Sequence, residues 1–353
     1  MKNKKFGFAI IGTGAVASIH AQAILAIENA YLLGVLSKTK QKALTFAEKY
    51  NCSVFNSIEE LLEIKELDIV CICTPSGAHL DPAIQCIRAG KHCLIEKPLE
   101  VNLEKCDAII READKSKGVK VAVVFHNRFY KVSKDLKSAV DADRFGKFVL
   151  GSAYVKWSRD EKYYESAEWR GTWELDGGGA LMNQAIHSVD MLQWYMGPIE
   201  SVQAITGNIR HKNIEVEDTV VAMVQFKNGA LGTIECSTAV FPGSYKRLEI
   251  MGTKGSVVME ENNILQWQFD SELTNDSSIR ENHSANQLSK GGVSNPMDIS
   301  YFGHKEQMED LIQAILLDRK PLIDAHEGRK SVEIVRAIYK SAKSGEKVTL
   351  PLS

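Results

Sequence analysis

Two short motifs contain residues that could do acid–base chemistry. Glu96-Lys97-Pro98 follows an apolar run, and its proline restricts the backbone around the lysine. Further along, the block 176–187 opens with an aspartate and three glycines and places Asn183 and His187 four residues apart, about one helical turn. An ammonium group can stabilise a developing oxyanion, and an imidazole can take up or release a proton near neutral pH. Lys97 and His187 are therefore the candidate catalytic residues.

A glycine-rich turn near the N-terminus indicates a reaction that would use them. Residues 6–17 read as an apolar strand that runs into Gly12-x-Gly14-x-x-Ala17, with a helical pattern behind it. Such glycines allow a tight turn and the approach of a pyrophosphate, which the helix N-terminus attracts. Alone, Lys97 could be a surface charge and His187 a buried, hydrogen-bonded side chain. Beside a dinucleotide they fit hydride transfer to or from an alcohol, because that reaction also moves a proton.

The end of the second predicted strand bears on which dinucleotide binds. A carboxylate at this place would hold the adenosine ribose of NAD, but the chain has Ser37-Lys38-Thr39-Lys40. Hydroxyl and ammonium groups suit the 2′-phosphate of NADP, so the prediction is NAD(P) with a preference for NADP, and a solvated turn is the alternative. The predicted cofactor contacts of these two turns are Gly12, Thr13, Gly14, Ala15, Val16, Ser37 and Lys38.

Strands and helices alternate up to Phe125, and this alternation predicts the first domain. Its strands are apolar throughout, which is typical of a parallel sheet covered by helices on both faces. We therefore expect a Rossmann-type, doubly wound α/β domain over residues 1–125. Lys97 would lie at the carboxyl edge of this sheet, where ligands of such folds bind, because it follows the predicted strand 92–95.

After Phe125 the pattern changes to longer runs that alternate in polarity and are joined by tight turns. The predicted strands are 148–157, 199–209, 219–226, 231–239, 248–252 and 256–259. They predict a second α/β domain over residues 126–353 with a large, mostly antiparallel open sheet, whose uncovered face could join subunits. The polar segment 270–300 is predicted as a loop, and a last helix, about 327–344, could pack on either domain.

Composition narrows the class of protein further. With 353 residues the chain is long enough for two cores, and its formal net charge of -2 is spread without a basic stripe or a polybasic segment. No apolar stretch approaches the roughly 20 residues of a membrane span. The seven cysteines include no C-x-x-C pair and are predicted to be reduced core residues. We thus expect a cytoplasmic protein that acts on a small molecule, without nucleic acid, membrane or metal.

Aromatic and basic residues just before the three glycines predict a substrate-binding wall. This segment contains Tyr163, Trp169, Arg170 and Trp173. Aromatic faces stack on the C–H surfaces of sugars, and arginine makes forked hydrogen bonds with hydroxyls, carboxylates or phosphates. Tyr163, Trp169 and Arg170 are therefore predicted substrate contacts. The alternative is that both tryptophans fill the core of the second domain.

In their order and spacing, four motifs resemble the Gfo/Idh/MocA oxidoreductases, and the resemblance spans nearly the whole chain. The motifs are Gly12-x-Gly14-x-x-Ala17, Thr74-Pro75-Ser76 with His79, Glu96-Lys97-Pro98 and the block 177–187. The resemblance implies oxidation of a secondary hydroxyl of a sugar, sugar derivative or cyclitol, or the reverse reduction. It also implies a homodimer or homotetramer joined through the open sheet, with Lys97 beside the nicotinamide and the reacting hydroxyl and His187 as the proton shuttle.

The resemblance assigns further residues. Asn127 and Arg128 resemble an Asn-Arg pair at the junction of the two domains, where either could touch substrate, and a structural hinge role for Arg128 is the alternative. His79 is expected to cap or pack a helix rather than to react. The resemblance completes the predicted cofactor site with Thr74, Pro75, Glu96 and Lys97.

Asn183 departs from the family pattern, since many members have an aspartate four residues before the histidine. An asparagine can orient a hydroxyl, so Asn183 is a predicted substrate contact, but it cannot take up a proton. Acid–base work then falls to His187, with Lys97 assisting electrostatically. Two other functions stay open: a redox-assisted glycosidase of the same family, and a cofactor-sensing regulator without catalysis, which only the asparagine favours.

Overall fold

The computed structural model describes residues 4–284 and 300–352. The strands are β1 (Phe6–Ile11), β2 (Ala30–Leu36), β3 (Ser53–Phe55), β4 (Leu67–Ile72), β5 (His92–Ile95), β6 (Val121–Val123), β7 (Phe148–Lys156), β8 (Ile199–Gly207), β9 (Thr219–Phe226), β10 (Leu231–Ser237), β11 (Arg247–Gly252), β12 (Gly255–Glu260), β13 (Asn263–Phe269) and β14 (Val348–Thr349). The helices are α1 (Ala15–Leu25), α2 (Lys40–Tyr50), α3 (Ile58–Leu62), α4 (Leu80–Arg88), α5 (Leu103–Lys115), α6 (Lys131–Asp141), α7 (Glu161–Glu165), α8 (Ile186–Met196), α9 (Asp276–Asn282), α10 (Phe302–Leu316) and α11 (Ala325–Ser344). None of the described helices is both long and apolar enough to cross a membrane.

The chain forms two compact units, Met1–His126 with Ile299–Lys330 and Asn127–Asp298 with Ser331–Ser353. The sheet of the first unit has six strands in the order β3-β2-β1-β4-β5-β6, and all neighbours are parallel. Its central strands are buried, as at Ile10 and Ile69, because helices cover the sheet. Side chains of α1 and α10 share one apolar core with β1, β2 and β4. This arrangement confirms the predicted Rossmann-type sheet.

The cysteines lie mostly inside the fold. All seven are free, and all but Cys52 are buried. Burial raises the pKa of the Cys71 and Cys73 thiols well above the ordinary value, and the nearby Glu96 carboxylate adds to the effect. These thiols are therefore neutral core groups, in agreement with the expected reduced cysteines.

The sheet of the second unit has eight strands in the order β13-β12-β11-β7-β10-β9-β8-β14. β7 and β10 pair in parallel, whereas the other neighbours are antiparallel, which confirms the mostly antiparallel sheet. Along β9 the side chains alternate, so that Val220 and Ala222 are buried while Val221 and Met223 are exposed. One face of the sheet thus packs on the core of the unit, and the other presents apolar side chains outward.

The polar segment 270–300 differs from the predicted loop. Its first part contains α9, and Asp276 at the start of this helix is buried. The Asp276 carboxylate accepts hydrogen bonds from Nη1 and Nη2 of Arg144, each at 2.7 Å, and from Nε1 of Trp267 at 2.7 Å. These tertiary contacts outweigh the weak helix propensity of a serine- and asparagine-rich stretch. Residues 285–299 of the predicted loop lie outside the described residues.

Candidate active site

The glycine-rich turn of the first unit connects β1 to α1. Gly12 has a φ of +105°, and a Cβ on it would lie 2.4 Å from the carbonyl oxygen of Cys73, so only glycine fits. Gly14 is exposed and precedes α1, whose first turn has no acidic residue. A Cβ on Gly14 would meet no atom of the described residues within 4 Å. The open, uncapped helix N-terminus therefore fits an anion such as a dinucleotide pyrophosphate.

Two hydroxyl groups connect this turn to the end of β2. Oγ1 of Thr13 lies 2.8 Å from Oγ of Ser37. Ser37 is half-buried, whereas Lys38 and Thr39 after it are exposed. This edge of the sheet therefore presents hydroxyls near the turn and a lysine in solvent. The arrangement is compatible with either adenosine ribose, so the predicted preference for NADP stays a prediction.

His79 links the loop after β4 to the loop after β5. Its Nδ1 lies 2.9 Å from the carbonyl oxygen of Pro98, and its Nε2 lies 3.1 Å from that of Thr74. Burial lowers the pKa of His79, and the charge of Glu100 and the two carbonyls oppose this effect. His79 is thus a packing residue that positions the segment containing Thr74 and Pro75 beside the segment containing Lys97.

Glu96 lies in a buried cluster of histidines that the sequence motifs did not reveal. Its Oε1 lies 2.7 Å from Nε2 of His20 and 3.7 Å from Nε2 of His304, and its Oε2 accepts the backbone N–H of Lys97 at 3.1 Å. The ring of His126 stacks on His304 with centroids 4.4 Å apart. Because Glu96 directly precedes Lys97, this cluster fixes the backbone that carries the candidate catalytic ammonium group.

Ionisation of the cluster follows from its contacts. Burial favours the neutral form of Glu96, but hydrogen bonds and charges from His20 and His304 outweigh it and hold the pKa well below the ordinary value. Burial lowers the pKa of His304. The side chains of His20, Glu96 and His304 offer ligand atoms within 4.8 Å of one another, which is close enough to hold a metal ion. The sequence predicted no metal site, and no motif in it connects these three residues.

In the second unit, the three glycines enter a π-helical turn, Ala180–Ala185, rather than an α-helix. A Cβ on Gly178 would lie 2.1 Å from the hydroxyl of Tyr339, and one on Gly179 would lie 1.7 Å from the carbonyl oxygen of Glu217. The buried Glu217 carboxylate accepts the N–H groups of Gly179 and Leu181 and the hydroxyl of Tyr339, each at 2.9 Å. Glycine and this carboxylate together position the turn that precedes His187.

Asn183 and His187 are half-buried, whereas most residues between and around them are buried. Both are therefore partly accessible, and their predicted roles toward a substrate stay predictions. Nδ2 of Asn183 donates to Oδ1 of the buried Asp176 at 2.5 Å. The carboxylate of Asp176 thus lies against the amide of Asn183. Position 183 is the one at which many members of the resembled family have aspartate.

Tyr163 is the centre of a polar cluster next to Asn183. Its hydroxyl accepts from Nη1 of Arg170 at 2.6 Å and from Nε2 of Gln184 at 2.9 Å, and it lies 3.5 Å from Oδ1 of Asn183. The Arg170 guanidinium also stacks on Trp169 at 4.7 Å from the ring centroid. The structure therefore groups four predicted substrate contacts: Tyr163, Trp169, Arg170 and Asn183.

Two other residues behave differently from these. Trp173 is 43 % exposed and donates from Nε1 to the carbonyl oxygen of Glu215, so it does not fill the core. Arg128 is only 1 % exposed, and its Nε and Nη2 donate to the two oxygens of Asp190 at 2.7 and 2.6 Å. This forked ion pair favours the structural alternative for Arg128. Asn127 beside it is buried.

Two family models match the chain. The model described as "Oxidoreductase family, NAD-binding Rossmann fold" covers residues 6–125, and the model described as "GFO/IDH/MocA C-terminal domain" covers residues 133–258. Myo-inositol 2-dehydrogenase of Thermotoga maritima is 31% identical over 70% of this chain and 73% of its own length. D-glucoside 3-dehydrogenase of Escherichia coli is 25% identical and covers 99% of both chains.

Solved structures match from end to end. The WlbA dehydrogenase of Bordetella pertussis is 32% identical, with a TM-score of 0.91 and 99% of both chains covered. The WlbA dehydrogenase of Chromobacterium violaceum is 34% identical, with a TM-score of 0.90, and covers 100% of this chain and 98% of its own. Both structures are complexes with NADH and UDP-GlcNAcA.

Proposed function

The chain belongs to the Gfo/Idh/MocA family of NAD-binding oxidoreductases, and from this premise we propose that it oxidises a ring hydroxyl of a nucleotide-linked sugar acid, UDP-GlcNAcA. The observation that supports this substrate is the extent of the WlbA match. The two WlbA dehydrogenases cover 99% and 100% of this chain at 32% and 34% identity. The inositol 2-dehydrogenase covers 70% of the chain at similar identity.

NAD is the cofactor that we propose. Both WlbA complexes contain NADH, which favours NAD over the NADP that the segment 37–40 led us to expect. A ratio of kcat/KM for the two cofactors decides between these assignments. A higher value with NADP would restore the preference predicted from Ser37 and Lys38.

Each candidate residue then has a defined part in the reaction. The nicotinamide, when bound, would supply the acceptor for the hydride that leaves the reacting carbon. His187 takes the hydroxyl proton as the hydroxyl becomes a carbonyl, and Lys97 stabilises the negative charge that develops on the oxygen. Asn183, held by Asp176, orients a sugar hydroxyl. We propose C3 as the reacting carbon, since the D-glucoside 3-dehydrogenase that covers 99% of the chain is named for that position.

A dehydrogenase assay tests the proposed substrate. The purified protein is incubated with NAD and with UDP-GlcNAcA, myo-inositol or a simple glucoside, and formation of NADH is followed by absorbance while the product is identified by mass spectrometry and NMR. We expect turnover with UDP-GlcNAcA and a keto sugar acid as product. Faster turnover of myo-inositol would overturn the proposed substrate and indicate an inositol dehydrogenase. Release of nitrophenol from a synthetic glycoside without net formation of NADH would indicate a redox-assisted glycosidase instead.

Lys97→Met tests the proposed chemistry. Because the ammonium group would act on charge that develops in the transition state, turnover falls by about 1,000-fold while cofactor affinity changes little. Steady-state kinetics and fluorescence titration with NADH measure the two quantities. Turnover that survives this substitution would remove Lys97 from the mechanism.

We also propose that copies of the chain join through the exposed face of the sheet in the second unit. Ile205 of β8, Val221 and Met223 of β9 and Leu231 of β10 are exposed on adjacent strands. Ile205 and Val221 are direct partners in the β8–β9 pairing. A contiguous apolar surface of this kind is typical of an interface. A homodimer or a homotetramer would bury it.

A further inference from the structure

Two guanidinium groups lie close to the ring of Tyr163. The central carbon of the Arg170 group lies 4.3 Å from the ring centroid, and that of Arg159 lies 5.3 Å from it. Arg159 is only 4 % exposed and also lies over the ring of Trp157. Burial lowers the pKa of Arg159, the tyrosine hydroxyls oppose this effect, and the charge of Arg170 lowers the pKa further. The two like charges are therefore close enough to repel each other.

Arg170 is held by neutral groups. Its Nη1 donates to the Tyr163 hydroxyl at 2.6 Å and its Nε donates to the Ser166 hydroxyl at 3.1 Å. Among the residues that the structure describes, no carboxylate pairs with it. Two neighbouring guanidinium groups in a partly buried place cost free energy, and a bound anion would offset that cost. The geometry thus indicates a binding place for a negatively charged group.

We propose that Arg159 and Arg170 bind the carboxylate of the sugar acid and thereby set the preference for an acidic over a neutral sugar. The planar, forked donors of arginine match the two oxygens of a carboxylate. The inference rests on the proposed function, since it names the residues that would recognise the acid of UDP-GlcNAcA. Arg170 lies in the segment predicted to bind substrate, whereas Arg159 lies in no motif.

The carboxylate is a better match than the diphosphate because of what else contacts Tyr163. The hydroxyl that accepts from Arg170 also lies 3.5 Å from Oδ1 of Asn183, and His187 follows Asn183 by four residues. A group bound by the arginines therefore lies near the groups that would handle the reacting hydroxyl. In a sugar acid the carboxylate is carried by the same ring as that hydroxyl, whereas the diphosphate lies outside the ring.

The test compares UDP-GlcNAcA with UDP-GlcNAc, which has a hydroxymethyl group in place of the carboxylate and is otherwise the same. Arg170→Met and Arg159→Met are each expected to lower kcat/KM for the acid about 100-fold more than kcat/KM for the neutral sugar, because a charge-assisted hydrogen bond is lost. Arg170→Lys keeps the charge without the fork and should give an intermediate loss. Arg210→Met, at an exposed arginine of the same unit, is the matched control.

The outcomes separate this inference from the proposed function. An equal loss of kcat/KM for both sugars in the arginine variants means a structural or diphosphate-binding role and overturns the inference, even if the wild type oxidises the acid. If the wild type oxidises neither sugar, the proposed function fails, and calorimetric titration of the full-length protein with each nucleotide sugar tests the arginines instead. If the wild type binds the acid more tightly than the neutral sugar and Arg170→Met abolishes this difference, the carboxylate-binding role of the arginines is supported. If the wild type binds both nucleotide sugars equally, that role is overturned.

Discussion

Arg128 and Arg170 lie in the same unit but in opposite electrostatic situations. Arg128 is 1 % exposed and is neutralised by the Asp190 carboxylate, which also accepts the hydroxyl of Ser331 at 3.1 Å. Arg170 is half-buried and is held by the hydroxyls of Tyr163 and Ser166. The first side chain has its counter-ion inside the fold, and the second has only neutral partners among the described residues.

The difference separates charge that supports the fold from charge that remains available to a ligand. A buried ion pair that satisfies both partners is costly to break but does not attract a further ion. A guanidinium group positioned by neutral hydroxyls and aromatic faces keeps its field and its geometry for an incoming anion. Substitutions in the two regions should therefore affect different measurements.

Asp190→Ala should have the largest effect on stability. It leaves the Arg128 guanidinium buried without its carboxylate, so the free energy of unfolding should fall by about 3–5 kcal/mol. Arg170→Met should change it by less than about 1 kcal/mol, since it removes hydrogen bonds to hydroxyls and a cation from a half-buried place while the apolar side chain can still pack on the aromatic rings. Urea unfolding monitored by circular dichroism measures both.

The double variant Arg128→Met with Asp190→Leu is the control for this experiment. It removes both charges and keeps apolar volume, so most of the lost stability should return. If Asp190→Ala costs no more than Arg170→Met, the two arginines are equivalent and the distinction between them is wrong.

Glu217 is a buried carboxylate whose hydrogen-bond partners, among the residues that the structure describes, include no cation. Burial raises its pKa from 4.5 to about 7, although the N–H groups of Leu181 and Gly179 and the hydroxyl of Tyr339 oppose the shift. The folded state therefore holds the proton more tightly than the unfolded state. Stability from this group is fully present below pH 4.5 and is lost as the pH rises through about 7.

Glu217→Gln tests this pH dependence. In the wild type the free energy of unfolding should fall between these pH values by at most about 1.4 kcal/mol per pH unit from this group. The glutamine at position 217 of the variant cannot ionise. The stability of the wild type relative to the variant should therefore fall as the pH rises from 4.5 to about 7. Equal slopes for wild type and variant would show that folding does not raise the pKa of Glu217.

Part of this architecture could be predicted from the sequence because its signals are local. The glycine-rich turn and the apolar strands of the first unit lie within one short stretch each, and a parallel sheet needs such runs. β13 was not predicted, because its burial does not alternate: Asn263 and Ile264 are both buried, and the pairing with β12 shifts in register. β14 has only two residues and leaves no pattern.

The polar clusters of the candidate site could be predicted only in part, because they are assembled by tertiary packing. His20, Glu96 and His304 converge from positions far apart in the chain, and no spacing connects them. Arg159 lies outside every motif, and the position of its side chain depends on Tyr163 and Trp157. Asn183 and His187 could be identified because they lie four residues apart in one short motif.

Apolar side chains of the sheet in the second unit also differ in whether their partners lie inside the unit. Ala222 and Val224 of β9 are buried in their own unit, whereas Met223 between them is 58 % exposed. If copies join through this face, Met223→Glu should weaken association about 100-fold, because an unpaired carboxylate would be buried at the interface. Light scattering over a concentration series measures the mass.

Leu317→Glu is the matched control, since Leu317 is also exposed but belongs to the first unit. It should leave the mass unchanged, and neither variant should change the unfolding of the isolated chain by more than about 0.5 kcal/mol. A wild-type protein that is monomeric at all concentrations, or a Met223→Glu variant that keeps the wild-type mass, would locate any interface elsewhere.

The smallest effect is expected where a charge is added to the polar cluster itself. In Asn183→Asp a second carboxylate would face Asp176, whose Oδ1 lies 2.5 Å from the present amide nitrogen. Two carboxylates this close share a proton, so the pKa of one of them rises. At a pH above that value the pair repels, and kcat/KM for the sugar should fall about tenfold relative to the wild type. Below it the shared proton restores a hydrogen bond, and the loss should shrink.

A pH profile of kcat/KM measures this effect. The control is the swapped double variant, which combines Asp176→Asn with Asn183→Asp. The swap keeps one carboxylate and one amide in contact, so most of the activity should return and the added ionisation should disappear. If Asn183→Asp alone matches the wild type at every pH, the two side chains do not interact in the working enzyme. If the swap is as impaired as the single variant, Asp176 acts through the backbone N–H of Gly171, which it accepts at 2.9 Å, rather than through the amide of Asn183.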